Sequence, residues 1–270
     1  MASVSSESLA AALTSLETKL AHASLELSEE LFAALGVLDS NAGLRRALTD
    51  PARSAQDKAG IVAQLLRGKI SADAEATVAD LASSRWSSAR DIGDALETLA
   101  ATTAIAVAER LDGTAGLERL EEDLFAFIRV VGSSHDLQRA LDDAQATVEA
   151  KSALALKLVP TAGAASALLI RQAVASPRGL KPVALVERFV ELVAKRQERW
   201  IAQVSVTREL TDEQFTRLQA GLNNLYGREL NINVTIDPAL VGGIRVKVGD
   251  EVVDATIATR VSDLRRRLAG

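Results

Sequence analysis

The sequence predicts a mainly α chain, two tandem helical bundles followed by a small α+β C-terminal domain. Three observations predict it. Ala, Leu and Val dominate the apolar residues, whereas Phe, Trp and Tyr number only 5, 2 and 1, and Ala and Leu are strong helix formers suited to close-packed bundles. A stretch from the first hundred residues recurs later in the chain. After Trp200 the apolar spacing changes from helical to alternating. The expected limits are 1–110 for the first bundle copy, 111–200 for the second, whose first helix can begin near residue 98, and 201–270 for the α+β domain.

The first segment spaces Leu9, Leu13, Leu16, Leu20, Leu27, Leu31, Leu35 and Leu38 by three, four or seven residues, one apolar stripe of helical surface with an interruption expected around Leu25. Leu44 and Leu48 mark a short helix ending before Asp50-Pro51. Ser54 with Asp57 reads as a capping box that opens a helix through Leu66. Another helix starts near Ser71, and a longer one carries Ile92, Leu96, Leu99 and Val107.

A shift of 93 residues lays Glu30–Asp50 over Asp123–Asp143 with ten of 21 positions identical, among them Phe32/Phe125, Ser40/Ser133, Arg46/Arg139 and Asp50/Asp143. Lys58/Lys151 and Arg85/Arg178 continue the register. A shared Ala/Leu-rich composition would not also match Ser, Arg and Asp positions. The period is too long for a solenoid unit, so the repeat reads as two copies of one bundle.

In the tail, Val204 and Val206 alternate with polar residues as a strand. Thr211 and Gln214 form a capping box for a helix carrying Phe215, Leu218, Leu222 and Leu225 and stopping at Gly227. Leu230, Ile232, Val234 and Ile236 give a half-buried strand, and Asp237-Pro238 turns the chain. Ile244, Val246 and Val248 give the next strand, joined through a Gly249-Asp250 turn to residues 251–254. A last helix is expected around Val261, Leu264 and Leu268, with Arg265, Arg266 and Arg267 at its end.

Composition narrows the function classes. The net charge of −5 lacks the basic footprint of a nucleic-acid binder. Without cysteine there is no disulfide, thiolate metal site or cysteine nucleophile. His22 and His135 occupy non-equivalent repeat positions without ligand-spaced partners, and they read as solvated surface residues. Glu121-Glu122-Asp123 and Asp142-Asp143 read as solvent-facing charge, because adjacent helical residues do not face each other. No phosphate-cradling G-x-x-x-x-G-K-[ST] loop is present, and Gly242-Gly243 precedes a strand, where a structural bend is expected. Trp86 and Trp200 lie near segment boundaries and are expected in core or inter-domain packing. No catalytic, cofactor-binding or metal-ligating residue is assigned. The start of the chain has no signal-peptide pattern, and the longest apolar stretch, Leu158 to Ile170, contains Pro160 and Gly163 and falls short of the roughly 20 residues a membrane span needs.

The run from Asp237 to Asp254, with Asp237-Pro238, the Gly242-Gly243 pair, the alternating strand, Gly249-Asp250 and the closing Asp254, resembles the C-terminal signature of the ATP synthase delta subunit family, whose mitochondrial member is the oligomycin-sensitivity-conferring protein. Residues 104–110 are similar to the first helix of that family's helical bundle, and residues 204–214 to the entry of its C-terminal domain. An ordinary member maps onto residues from Thr98 onward; the extra bundle in front resembles the actinobacterial type, whose helical part is duplicated.

The resemblance implies a non-catalytic stator of an F-type proton-translocating ATP synthase, a peripheral-stalk component linking the catalytic head to the membrane sector and resisting rotation. The implied partners are the alpha and beta subunits of the head and the b-type stalk subunit, with no cofactor, no nucleic acid and no membrane contact except through the complex, at the cytoplasmic face of the plasma membrane. It also implies a groove between the first and fifth helices of the second copy, where Ile105, Ala108, Leu169 and Ala173 are either partner contacts or core. The alternative is a helical scaffold or adaptor unrelated to ATP synthase.

Overall fold

The computed structural model of the chain describes residues 3–227, 230–237, 240, 243–249 and 251–254. Two compact units divide the chain, Met1–Val193 and Ala194–Gly270. Ten helices belong mainly to the first: α1 (Ser3–Leu20), α2 (Leu25–Ser40), α3 (Ala42–Thr49), α4 (Ala55–Leu66), α5 (Ala72–Ser83), α6 (Asp91–Gly132), α7 (His135–Asp142), α8 (Val148–Leu158), α9 (Ala164–Ala175) and α10 (Pro182–Gln197). The interruption expected near Leu25 is the turn between α1 and α2.

The bend in α6 organises this unit. Gly113 has φ 61° and ψ −138°, which breaks the helix into arms at 91–112 and 114–132. Moved by 93 residues, α1 falls on the first arm, α2 on the second, α3 on α7 residue for residue, α4 on α8, α5 on α9, and the first arm on α10. That arm is therefore the last helix of the first copy and the first helix of the second. The expected 110/111 limit lies just before the bend.

The copies agree in their hydrogen bonds as well as their helices. Asn41 and Ser134 accept from the main-chain N–H groups of Leu44 and Leu137, and Ser54 and Thr147 accept from those of Asp57 and Ala150. These caps satisfy N–H groups that the helix itself leaves without partners. Ser54 also donates to the Asp57 carboxylate, at 2.7 Å, so only the Ser54 half of the expected capping box forms. Arg45 donates to the carbonyls of Leu38 and Asp39, and Gln138 donates to those of Val131 and Gly132. Different side chains thus tie the same corner in each copy.

Leu16, Leu31, Leu35, Leu48, Leu96, Leu99, Phe127 and Phe189 are fully buried in this unit, each stabilising it by roughly 1.5–3 kcal/mol. Trp86 is also buried, and its indole N–H donates to the Leu81 carbonyl at 2.8 Å.

The second unit contains β1 (Ile201–Val206), α11 (Asp212–Tyr226), β2 (Asn231–Ile236), β3 (Ile244–Val248) and β4 (Glu251–Asp254). The sheet order is β2-β1-β3-β4, with β1 parallel to β2 and antiparallel to β3. Ala202, Val204, Val206, Leu222, Leu230, Val246 and Val248 form its core. Thr211 and Gln214 make both bonds of the expected capping box, and Gly227 takes the left-handed conformation past the helix end. Leu225, expected on the apolar stripe, is 67% exposed. Leu218, Leu222 and Tyr226 pack on the core instead, because steps of four keep one line of side chains over the sheet. The expected terminal helix, with its three arginines, and the signature residues Pro238 and Gly242 lie outside the described residues.

Gly243 has φ 86°, a region in which a β-branched residue is strained. Replacing Gly243 by Val is expected to destabilise the second unit by about 2 kcal/mol. A lowered melting transition for that unit, with the helical transition unchanged, is the result to look for; an unchanged melt contradicts the need for glycine.

Candidate functional site

The groove residues inferred from the resemblance come from the first arm of α6 and from α9, which pack together. Ile105, Leu169 and Ala173 are buried at 1%, 0% and 0% exposure. Only Ala108 is half-buried. It borders a shallow depression of about 120 Å³ with Leu25, Leu111, Gly116 and Arg119. The structure thus brings the four residues to one seam and leaves its Ala108 end open.

Sequence reasoning missed a buried cluster of charged side chains, which joins α2, the first arm of α6 and the loop after α9. Arg178, in the loop between α9 and α10, has φ 51° and a side chain only 9% exposed. Its Nε donates to Asp39 of α2 at 2.6 Å. Its Nη1 lies 2.9 Å from Asp94 and 3.4 Å from Glu97, both on the first arm of α6. Those two carboxylate oxygens meet the guanidinium as ion pairs without aligned hydrogen bonds. Arg188 of α10 approaches Glu97 at 3.6 Å from the other side.

Burial pushes the Glu97 carboxyl above its ordinary range, and the attraction of Arg178 and Arg188 only partly offsets this. Burial also pulls the Arg178 guanidinium down, but Glu97, Asp39 and Asp94 outweigh it and hold it charged. Gly93 makes room for the arrangement, since a Cβ there would lie 2.5 Å from Arg178 Nη2.

An open cavity of about 430 Å³ beside the cluster is lined by Asp39, Arg45, Arg90 and Arg178. Each of its arginines already faces a carboxylate, Arg45 that of Asp39 and Arg90 that of Asp94. The arrangement suits a clamp between helices. The repeat itself hid it: Arg85, the counterpart of Arg178, is exposed, because the clamp needs Asp39 from one copy and Arg178 from the other.

The acids singled out in the sequence separate into different roles. Glu122 is exposed, as expected. Asp123 corrects the solvent-facing reading: it is half-buried and accepts from Gly163 N–H at 2.9 Å and Ser166 Oγ–H at 2.6 Å, capping α9. Glu30, its counterpart, accepts from the N–H and hydroxyl of Ser71 at the start of α5. An acid near each helix start also suits the helix dipole. The only sequence signal for this role was the 30/123 pairing. Asp143 is exposed and accepts from Gln145 N–H, as Asp50 does from Ala52 N–H. His22 and His135 are exposed, and no group of three or more potential metal ligands occurs among the described residues.

Within the signature run, Asp237 N–H donates to the Val206 carbonyl at 2.8 Å, which ties the end of β2 to β1. Gly249 has φ 57° in the turn set by the Val248↔Glu251 pairing, and Asp254 lies opposite Arg245 in the β3–β4 ladder.

The family model described as ATP synthase delta (OSCP) subunit matches residues 100–268. Over the full length of both chains, the protein is 61% identical to ATP synthase subunit delta of Pseudarthrobacter chlorophenolicus. It is 62% identical to that of Arthrobacter sp. strain FB24, again over both full lengths. A solved chain from the Toxoplasma gondii mitochondrial ATP synthase hexamer overlays loosely, with a TM-score of 0.32 and 16% identity over 63% of this chain and 97% of that one.

Proposed function

The chain belongs to the ATP synthase delta (OSCP) subunit family, and from that membership we propose that it is a non-catalytic stator of an F-type proton-translocating ATP synthase, tying the catalytic head to the peripheral stalk. The observation that carries this reading is the match over the entire length to chains named ATP synthase subunit delta. A helical scaffold unrelated to ATP synthase is incompatible with it.

A stator must transmit torque without yielding, which requires packed helices and complementary surfaces rather than a reacting side chain. The double bundle and its Arg178 clamp suit that task. We assign the alpha and beta subunits of the head to the helical part, with the open Ala108 end of the Ile105–Leu169–Ala173 seam as the entry for a partner helix. We assign the b-type stalk subunit to the C-terminal unit. No described helix is long and apolar enough to cross a membrane; in this reading the protein is held at the cytoplasmic face of the plasma membrane through the assembled complex.

Co-purification tests the proposal. Tagged full-length chain is expected to recover alpha, beta and b subunits from detergent-solubilised membranes. A chain ending at Gln197 is expected to retain the head subunits and lose the b subunit. Recovery of none of the three by the full chain overturns the stator role, and undiminished recovery of b by the shortened chain overturns the assignment of the C-terminal unit.

A further inference from the structure

The chain contains a single Asp-Gly step and no Asn-Gly step, and that step, Asp112-Gly113, falls at the bend of α6. Asp112 is the last residue of the first arm and keeps 49% of its side-chain surface in water. It borders the shallow depression beside Ala108, so solvent reaches it. Arg119 pairs with its carboxylate at 3.1 Å, but that partner is exposed as well, and pairs in water restrain their members weakly.

Gly113 differs from every other residue that follows an aspartate in this chain by lacking a Cβ, which leaves its main-chain nitrogen open to the preceding side chain. At φ 61° and ψ −138° it also takes the chain out of the helical ladder. Asp39 and Asp123 differ on both counts. They precede Ser40 and Leu124, and their carboxylates are held by Arg178 and by the start of α9.

We infer that Asp112 is a site of spontaneous isomerisation to isoaspartate, and that the change loosens the bend of α6. The Gly113 nitrogen bonds to Asp112 Cγ. The carboxyl hydroxyl departs as water with the proton of that nitrogen, which closes a succinimide ring. Water then opens the ring. Cleavage at Cγ restores aspartate; cleavage at the main-chain carbonyl leaves isoaspartate, whose backbone runs through Cβ and Cγ. One water leaves and one returns, so no other reagent takes part.

The product carries an extra main-chain carbon where the arms have no slack. A Cβ on Gly116 would lie 2.2 Å from the Ala108 carbonyl oxygen and 3.2 Å from Asp112 Cβ. Drawing Asp112 Cβ into the backbone shifts an atom already at contact distance from the second arm, and it moves the carboxylate away from Arg119.

The test uses the purified full chain, held for weeks at physiological pH and below its melting transition. An isoaspartyl methyltransferase with labelled S-adenosylmethionine counts isoaspartate, and fragmentation of the peptides between Cα and Cβ locates it. Position 112 is expected to carry more isoaspartate than all other positions together, and Asp112→Ala to lose that signal. The aged fraction is expected to melt roughly 2–4 °C below fresh protein, the scale of a modest destabilisation in a unit of this size. Isoaspartate at 112 that is absent from the folded chain, or forms there only after unfolding in urea, overturns the site, as does a greater yield elsewhere in the folded chain. Isoaspartate at 112 with an unchanged melt overturns the loosening of the bend.

Discussion

Arg178→Ala is expected to destabilise the helical unit by about 3 kcal/mol, the lower end of the range for removing one partner of a buried ion pair. The lower end applies because Asp39 and Asp94 keep 28% and 18% of their side-chain surface in water, whereas Glu97 keeps only 3%. In a unit of this size each kcal/mol lowers the melting temperature by roughly 2–4 °C, so the loss should be plain in a thermal melt. Arg178→Lys is expected to recover little, because one ammonium cannot reproduce the guanidinium fork that reaches all three carboxylates.

The double variant Arg178→Met with Glu97→Gln separates the cost of stranded charge from the cost of lost packing. It should be more stable than Arg178→Met alone, since the most deeply buried carboxylate is gone. A melt of Arg178→Ala indistinguishable from wild type would show that the cluster does not hold the copies together.

Changing the bend in α6 is expected to have a comparable effect. Gly113 sits at φ 61° and ψ −138°, backbone that an L side chain adopts only at a cost of order 1–3 kcal/mol. Three residues on, a Cβ at Gly116 would lie 2.2 Å from the Ala108 carbonyl oxygen, so the two arms would have to separate. Gly113→Ala and Gly116→Ala are each expected to cost about 2–3 kcal/mol, read as a lower urea midpoint of the helical unit. Straightening the bend would also draw Leu117, Leu120, Leu124 and Phe127, now 0–2% exposed, away from the core. An unchanged midpoint for Gly116→Ala would show that the arms part without loss.

Much of the architecture was legible because it is local. Ser54, Ser71, Thr211 and Gln214 cap helices through bonds spanning three residues, and alternation at Val204, Val206, Val246 and Val248 fixed which side chains enter the sheet core. The repeat was legible for a related reason: equal helix lengths and corners leave equal spacings in the chain. What spacing does not carry is which face a neighbour covers. Leu225 fitted the helical period as well as Tyr226, yet only the position of the sheet made Tyr226 the packed residue.

By itself the sequence carried the helical class, the 93-residue repeat, the α+β tail and the family signature from Asp237 to Asp254. Tertiary structure alone decided that one arm of α6 serves both copies, that Asp123 caps a helix 40 residues away, and that Arg178 is clamped while Arg85 is exposed. Phe32 and Phe125 show the physical reason most directly. Identical in type and repeat position, they end buried and exposed respectively, because burial depends on what is packed against a residue, and distant segments supply that packing only after the chain has folded.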